Sequence, residues 1–130
     1  MSVLIDSSVW IAYFRGEVDD GVVDFLIDHN MLVINDLILA EIIPVLRIRK
    51  QFKLVDLLME IKCPQINIDW NDIINMQVLC LRNGINKVGI SDLVIAQYSI
   101  INGFDLLTYD KHFMLMRRYF SLSLYGGINN

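Results

Sequence analysis

Four carboxylates set in apolar sequence carry most of the chemistry this chain could perform. They are Asp6 in LIDSSVWI, Glu41 in LAEIIPVLR, Asp92 in ISDLVIAQYSI and Asp110 in LLTYDKHF. A carboxylate among Leu, Ile and Val is costly to bury unless it is paired or bound to a metal. All-oxygen ligation selects a hard cation, Mg²⁺ or Mn²⁺, over zinc, and such an ion lowers the pKa of its bound water. No Cys or His cluster offers a softer site. Cys63 and Cys80 stand apart without metal spacing and read as reduced core residues of a cytoplasmic protein.

Whether the four acids meet depends on the elements that carry them. Val3-Leu4-Ile5 reads as a short buried strand that runs into Asp6-Ser7-Ser8, and a helix over Ser8–Arg15 follows. A helix over Asp19–His29 comes next, then an apolar run, Met31–Ile34, ending in Asn35-Asp36. The periodicity predicts a helix from about Leu37 to Arg49, with Pro44 inside it favouring a kink or an early change of register. Gln51–Lys62 is a second amphipathic helix, and Gln65–Ile68 is a third strand closing on Asp69. Trp70–Asn83 is helical, with Gly84 a good stop, and Ile90-Ser91-Asp92 opens an apolar helix that Asn102-Gly103 ends. Phe104–Tyr109 is a fourth strand leading to Asp110, a short helix spans Lys111–Arg117, and Ser121–Tyr125 is a last strand.

Short apolar runs alternating with helices predict one α/β domain over residues 1–130, with a parallel sheet and right-handed crossovers. Four strand candidates end in Asp (Asp6, Asp36, Asp69 and Asp110), and helix capping worth ~1 kcal/mol each accounts for any of them singly. Topology adds something more specific. Strand ends and the first turns of connecting helices share one edge of such a sheet, where ligands bind. Asp6, Glu41, Asp92 and Asp110 are all expected there.

Composition bounds the partners. Hydrophobic residues make up 55% of the chain, which fits a buried sheet and an apolar surface that a partner covers. The longest charge-free run, Leu93–Phe104, is too short to span a bilayer, and no secretory leader opens the chain, so no membrane association is expected. A net charge of −4 argues against a nucleic-acid substrate at face value. With the four site acids set aside, the remaining eleven acids balance the 11 Lys and Arg, and a bound cation reverses the local field. Net charge does not decide.

Over nearly its whole length, the order and hydrophobic setting of LIDSSVWI, LAEIIPVLR, ISDLVIAQYSI and LLTYDKHF resemble the PIN-domain ribonucleases, most closely the VapC-type toxins of toxin–antitoxin pairs. The resemblance implies a three-layer α/β/α sandwich with a short, mostly parallel sheet of about five strands. It implies an Mg²⁺- or Mn²⁺-dependent endoribonuclease, a homodimer, and inhibition by a small antitoxin protein. On that basis Asp6 and Asp92 are the principal metal ligands, and Glu41 and Asp110 complete the cluster directly or through water. Ser8 and Thr108 support the acids by hydrogen bonding. Two departures stand out. Tyr109 precedes the last Asp where relatives often carry Arg or another polar residue, and Pro44 lies where a glycine is often found after the Glu. Neither removes a ligand.

Four carboxylates alone would repel RNA, so Arg or Lys must track its backbone. Arg82, Lys87 and Lys111 flank the segments bearing Asp92 and Asp110, although each also reads as a solvated surface charge. Arg47, Arg49, Lys50 and Lys53 form a denser group that suits RNA, an acidic partner or plain solvent. His112 lies two residues past Asp110, but a metal that activates water leaves little need for it as a general base. His29, Trp10, Tyr13 and Phe14 read as structural. An aspartyl-phosphate mechanism fits poorly: a dehalogenase-like site needs a second Asp where Ser8 stands, and a receiver-like site needs an acidic pair that the first strand lacks. Two further readings remain, a PIN nuclease of RNA processing outside a toxin pair and a catalytically silent interaction module. The intact acidic quartet opposes the second.

Overall fold

Val3–Ile5 forms β1, the middle strand of a parallel sheet in the order β2-β1-β3, in a computed structural model that describes residues 1–17 and 21–126. Its neighbours are β2 (Leu32–Val33) and β3 (Asp105–Leu107), with Leu4 opposite Val33 on one side and Leu106 on the other. Successive side chains of a strand point to opposite faces. All three residues of β1 are nonetheless 0% exposed, so both faces of the sheet are covered. That is the environment in which a continuous apolar run, rather than an alternating one, reads as a strand.

Seven helices connect and flank the described strands: α1 (Ser7–Phe14), α2 (Val22–Asp28), α3 (Asp36–Ile48), α4 (Phe52–Met59), α5 (Trp70–Arg82), α6 (Ile90–Asn102) and α7 (Lys111–Met116). Helix α3 packs on α1 and α4, and α5 packs on α6. Trp10 anchors the first group, fully buried, stacked on Phe14 with ring centroids 5.6 Å apart and edge-on to Tyr13 at 6.0 Å. Among the described residues, no helix is long and apolar enough to cross a membrane.

The sheet is smaller than five strands. Gln65–Ile68 makes no ladder: Ile66 and Ile68 are half-buried while Gln65 and Asn67 are exposed, so their alternation reports an extended segment lying on the core without a strand partner. One residue earlier than that segment's Cys-Pro, the chain does touch the sheet. Lys62 bridges Val33, its carbonyl accepting from Ile34 N at 2.9 Å, so the helix expected to reach Lys62 ends at Met59 instead. At the other edge Ser121–Tyr125 contributes one bridge, Leu124 to Leu106, closed by two backbone bonds of 2.9 Å. Two single-residue bridges therefore stand where two more strands were expected.

Pro44 does not interrupt α3, which runs from Asp36 to Ile48. Pro44 and Ala40 are both exposed, so the carbonyl that loses its partner four residues back can turn to water. Asp19 and Asp20, the expected start of the second helix, lie outside the described residues, and α2 begins at Val22. The stop of α5 is as expected: Gly84 has φ +72°, its N–H donates to the Leu81 carbonyl and Ile85 N–H donates to Cys80 at 2.9 Å, a Schellman closure.

Gln97 of α6 was invisible as a structural residue in the sequence. It is 2% exposed and clamps the start of α5, accepting from Asp69 N at 3.1 Å and donating to Asp69 O at 3.0 Å and to Asp72 Oδ2 at 2.8 Å. Gln97→Leu should destabilise the chain by about 1–3 kcal/mol, because the polar groups it leaves are only partly reached by water. Urea unfolding should show a lower midpoint at an unchanged slope.

Candidate active site

Asp6 ends β1 and caps α1, which is why an acid follows three apolar residues here. Its Oδ1 accepts from Ser8 N at 2.5 Å and from Ser8 Oγ at 2.6 Å, while Oδ2 accepts from Thr108 Oγ1 at 2.5 Å. The residue is only 4% exposed. Each hydroxyl also takes a backbone N–H from the turn after β3: Ser8 Oγ accepts from Tyr109 N at 3.2 Å and Thr108 Oγ1 from Asp110 N at 3.0 Å. Two hydroxyls thus tie the end of β1 to the end of β3. A carboxylate offers about four lone-pair sites, so three donors leave Asp6 room for one more partner.

The other acids come from three separate elements. Glu41 lies midway along α3, where the Ser7 side chain hydrogen-bonds it. Burial, and then the charges of Asp6 and Asp92, push its carboxyl above the usual range. Asp92 is the third residue of α6 and accepts from the backbone of Gly89, the helix cap, in half of a capping box. Burial first, then the charges of Asp110 and Asp6, raise the Asp92 carboxyl, and the neighbouring His112 partly offsets this. Asp110 caps α7, accepting from His112 N at 2.9 Å. The His112 ring closes the group, with Nδ1 3.3 Å from Asp110 Oδ1 and 4.0 Å from Asp92 Oδ2.

Each of the four acids is therefore within electrostatic reach of at least one other, and Asp92 is coupled to all three. Like charges held together in this way are what a divalent cation relieves. One ligand atom each from Asp92, Asp110 and His112 lies within 4.8 Å of the others, so the donor set fits such an ion. In the sequence His112 reads only as a general base that a metal makes unnecessary; its place beside two of the acids was not read there. The first turn of α7 brings His112 round beside the carboxylate that caps it.

The remaining sequence candidates fall into place around this edge. Asp69 caps α5, as the capping account had it, with its Oδ1 accepting from Asp72 N at 3.1 Å. For the third helix the cap is Asn35 rather than Asp36: Asn35 Oδ1 accepts from Ile38 N at 2.9 Å, and Asp36 is already helical and meets Cys63 Sγ at 3.6 Å. Arg82 ends α5, Lys87 lies in the connection to α6, and Lys111 follows Asp110; all three are exposed, and none forms an ion pair with the four acids among the described residues. Glu41 also lines a groove of about 260 Å³ between α1, α3 and α4, with Phe14, Val45 and Arg49 among its walls. Ser7, which holds Glu41, was the supporting residue hardest to read from the sequence, since a Ser after a strand-end Asp already serves to start a helix.

Comparison with known proteins bears on the fold. The chain superimposes with a TM-score of 0.75 on a chain of VapBC2 from Rickettsia felis, solved bound to a DNA fragment from its promoter, at 18% identity over 96% of this chain and 98% of that one. A chain of the DNA-bound VapBC from Salmonella typhimurium matches with the same TM-score, at 14% identity over 96% and 97%. At these identities the likeness is one of fold. No curated protein matches in sequence. The family model of the PIN domain matches residues 3–118, a span that includes all four acids, and the chain belongs to that family.

Proposed function

We propose that the chain is a metal-dependent endoribonuclease and the toxin of a toxin–antitoxin pair, acting in the cytoplasm as a single-domain PIN protein. The observation that carries this reading is that Asp6, Glu41, Asp92 and Asp110 come from four elements with Asp92 in electrostatic reach of the other three, and that Asp92 and Asp110 share a ligand-spaced group with His112. PIN domains are generally nucleases and generally use divalent metals, and the solved neighbours are VapBC proteins. A bound Mg²⁺ or Mn²⁺ would supply polarisation of the scissile phosphate, an activated water and charge for the leaving 3′ oxygen.

The chain's own residues then divide the work. Asp6 and Asp92 would hold the ion, and Glu41 and Asp110 would complete its ligand set directly or through water. Ser8 and Thr108 fix both oxygens of Asp6, and Ser7 orients Glu41, so little reorganisation is left for the reaction. Arg82, Lys87 and Lys111 stand on the solvent side of the segments bearing Asp92 and Asp110, where they would meet phosphates of the strand. Exposed apolar side chains, among them Val45 at 50%, Ile48 at 80% and Phe52 at 56%, leave surface for an antitoxin and for a second copy of the chain.

The test is induction of wild type and Asp6→Asn in cells, followed by sequencing of RNA ends. Wild type should arrest growth and leave discrete cut sites. The variant should lose both, with cleavage in Mg²⁺ down more than about 10³-fold, since the carboxylate charge rather than its shape holds the ion. Arrest that persists undiminished in the variant would sink the catalytic reading.

A further inference from the structure

We propose that His112 is itself a ligand of the bound ion, through Nδ1, and that it shifts the preference of the site from Mg²⁺ toward first-row transition ions. The proposal rests on the metal-dependent reading above and adds to it a donor of a different kind. The geometry fits inner-shell ligation. An octahedral ion with bonds of about 2.1 Å sets neighbouring ligands about 3.0 Å apart and opposite ones about 4.2 Å apart. Nδ1 of His112 lies 3.3 Å from Asp110 Oδ1 and 4.0 Å from Asp92 Oδ2, between those two limits.

The ring is also placed by the fold rather than by chance. His112 is the second residue of α7, and its own backbone N–H donates to the Asp110 carboxylate at 2.9 Å. Phe113 and Met116 are 1% and 0% exposed and seat the helix on the core, which fixes the direction of its first turn. The His112 side chain is 32% exposed, beside Asp92 at 25% and Asp110 at 34%, so all three are partly open to solvent. Imidazole nitrogen is a poor donor for Mg²⁺ and a good one for first-row ions, whose affinities rise from Mn²⁺ through Co²⁺. Oxygen ligands from the acids keep Mg²⁺ binding possible, so His112 sets a ratio of affinities rather than an absolute requirement.

The competing account predicts no selective loss. If His112 only stands beside Asp92 and Asp110 without ligating, removing it leaves Co²⁺ and Mg²⁺ binding alike unchanged or tighter. Calorimetric titration of the metal-free protein at pH 8 with Mg²⁺, Mn²⁺ and Co²⁺ separates the two. His112→Gln should weaken Co²⁺ binding at least about tenfold and leave Mg²⁺ nearly unchanged. Pulsed EPR of the Mn²⁺-loaded wild type should show coupling to a directly bound nitrogen, and His112→Gln should lose it. Unchanged or tighter Co²⁺ binding in the variant, or no nitrogen coupling in the wild type, overturns the assignment of His112 alone. A wild type that binds no divalent ion and cuts no RNA overturns the proposed function with it.

Discussion

Asp92→Asn should abolish RNA cleavage and at the same time raise the melting temperature of the metal-free protein by a few degrees. Burial and the charges of Asp110 and Asp6 raise the Asp92 carboxyl above its ordinary value of 3.8, so the ionised group opposes folding. The sign follows from proton linkage. Between 3.8 and the raised folded value, the native state binds more protons than the unfolded chain, and stability falls as pH rises. Above that interval the deficit is complete and constant; below it there is none. An amide of the same shape can still accept the Gly89 N–H but carries no charge, so its advantage should be present at pH 7 and gone near pH 3.5.

Divalent ion should invert the order. A ligand at one hundred times its Kd stabilises the native state by about 2.7 kcal/mol, and that gain belongs to the wild type. Thermal melts with and without Mn²⁺, at both pH values, check the crossover. A metal-free variant that melts below the wild type would mean that Asp92 serves the cap of α6 rather than a strained charge cluster.

Thr108→Val is the second large effect, and it reaches the site through Asp6. The substitution keeps the shape and deletes the hydroxyl of a residue that is 7% exposed. One hydrogen bond to Asp6 Oδ2 goes, and Asp110 N–H loses its acceptor. The expected cost is about 1–3 kcal/mol of stability, because buried polar groups are left unmatched. Cleavage should drop about 10–100-fold, the usual penalty for removing a group that orients a metal ligand. Thr108→Ser retains both bonds and should restore most of the rate. Equal rates for Val and Ser would show that Asp6 needs no hydroxyl to hold it.

Much of this was legible because chain polarity does the sorting. Three apolar residues followed by an acid and a hydroxyl can hardly be other than a buried strand entering a helix, and Asp6 behaves so. The same reasoning placed Asp110 at the start of α7 and Gly84 at the end of α5. Other signals were ambiguous at their source. Alternation over Gln65–Ile68 encodes an exposed and a buried face but says nothing about a hydrogen-bonding partner, and here there is none to form a strand. Asn35 and Asp36 are both good caps, and only the backbone chooses: Asn35 is extended, at φ −134° and ψ 169°. Pro44 carries a local penalty that an exposed position largely removes. His112 and Ser7 act through the curvature of a turn, which brings together atoms from segments that no spacing rule connects.

The paired hydroxyl bridges have a consequence for the chain while it is being made. The bond from Thr108 to Asp6 spans 102 positions, and that from Tyr109 N to Ser8 spans 101. A growing polypeptide therefore carries Asp6, Glu41 and even Asp92 well before it carries what locks them in place. Until residues 105–112 have left the ribosome and docked beside β1, Oδ1 of Asp6 has its local bonds from Ser8 but Oδ2 lacks the Thr108 hydroxyl, and the fourth acid is not in place. The four acids can therefore be assembled only once the C-terminal part of the chain is present, so a nascent chain stalled before residue 105 should lack the complete cluster.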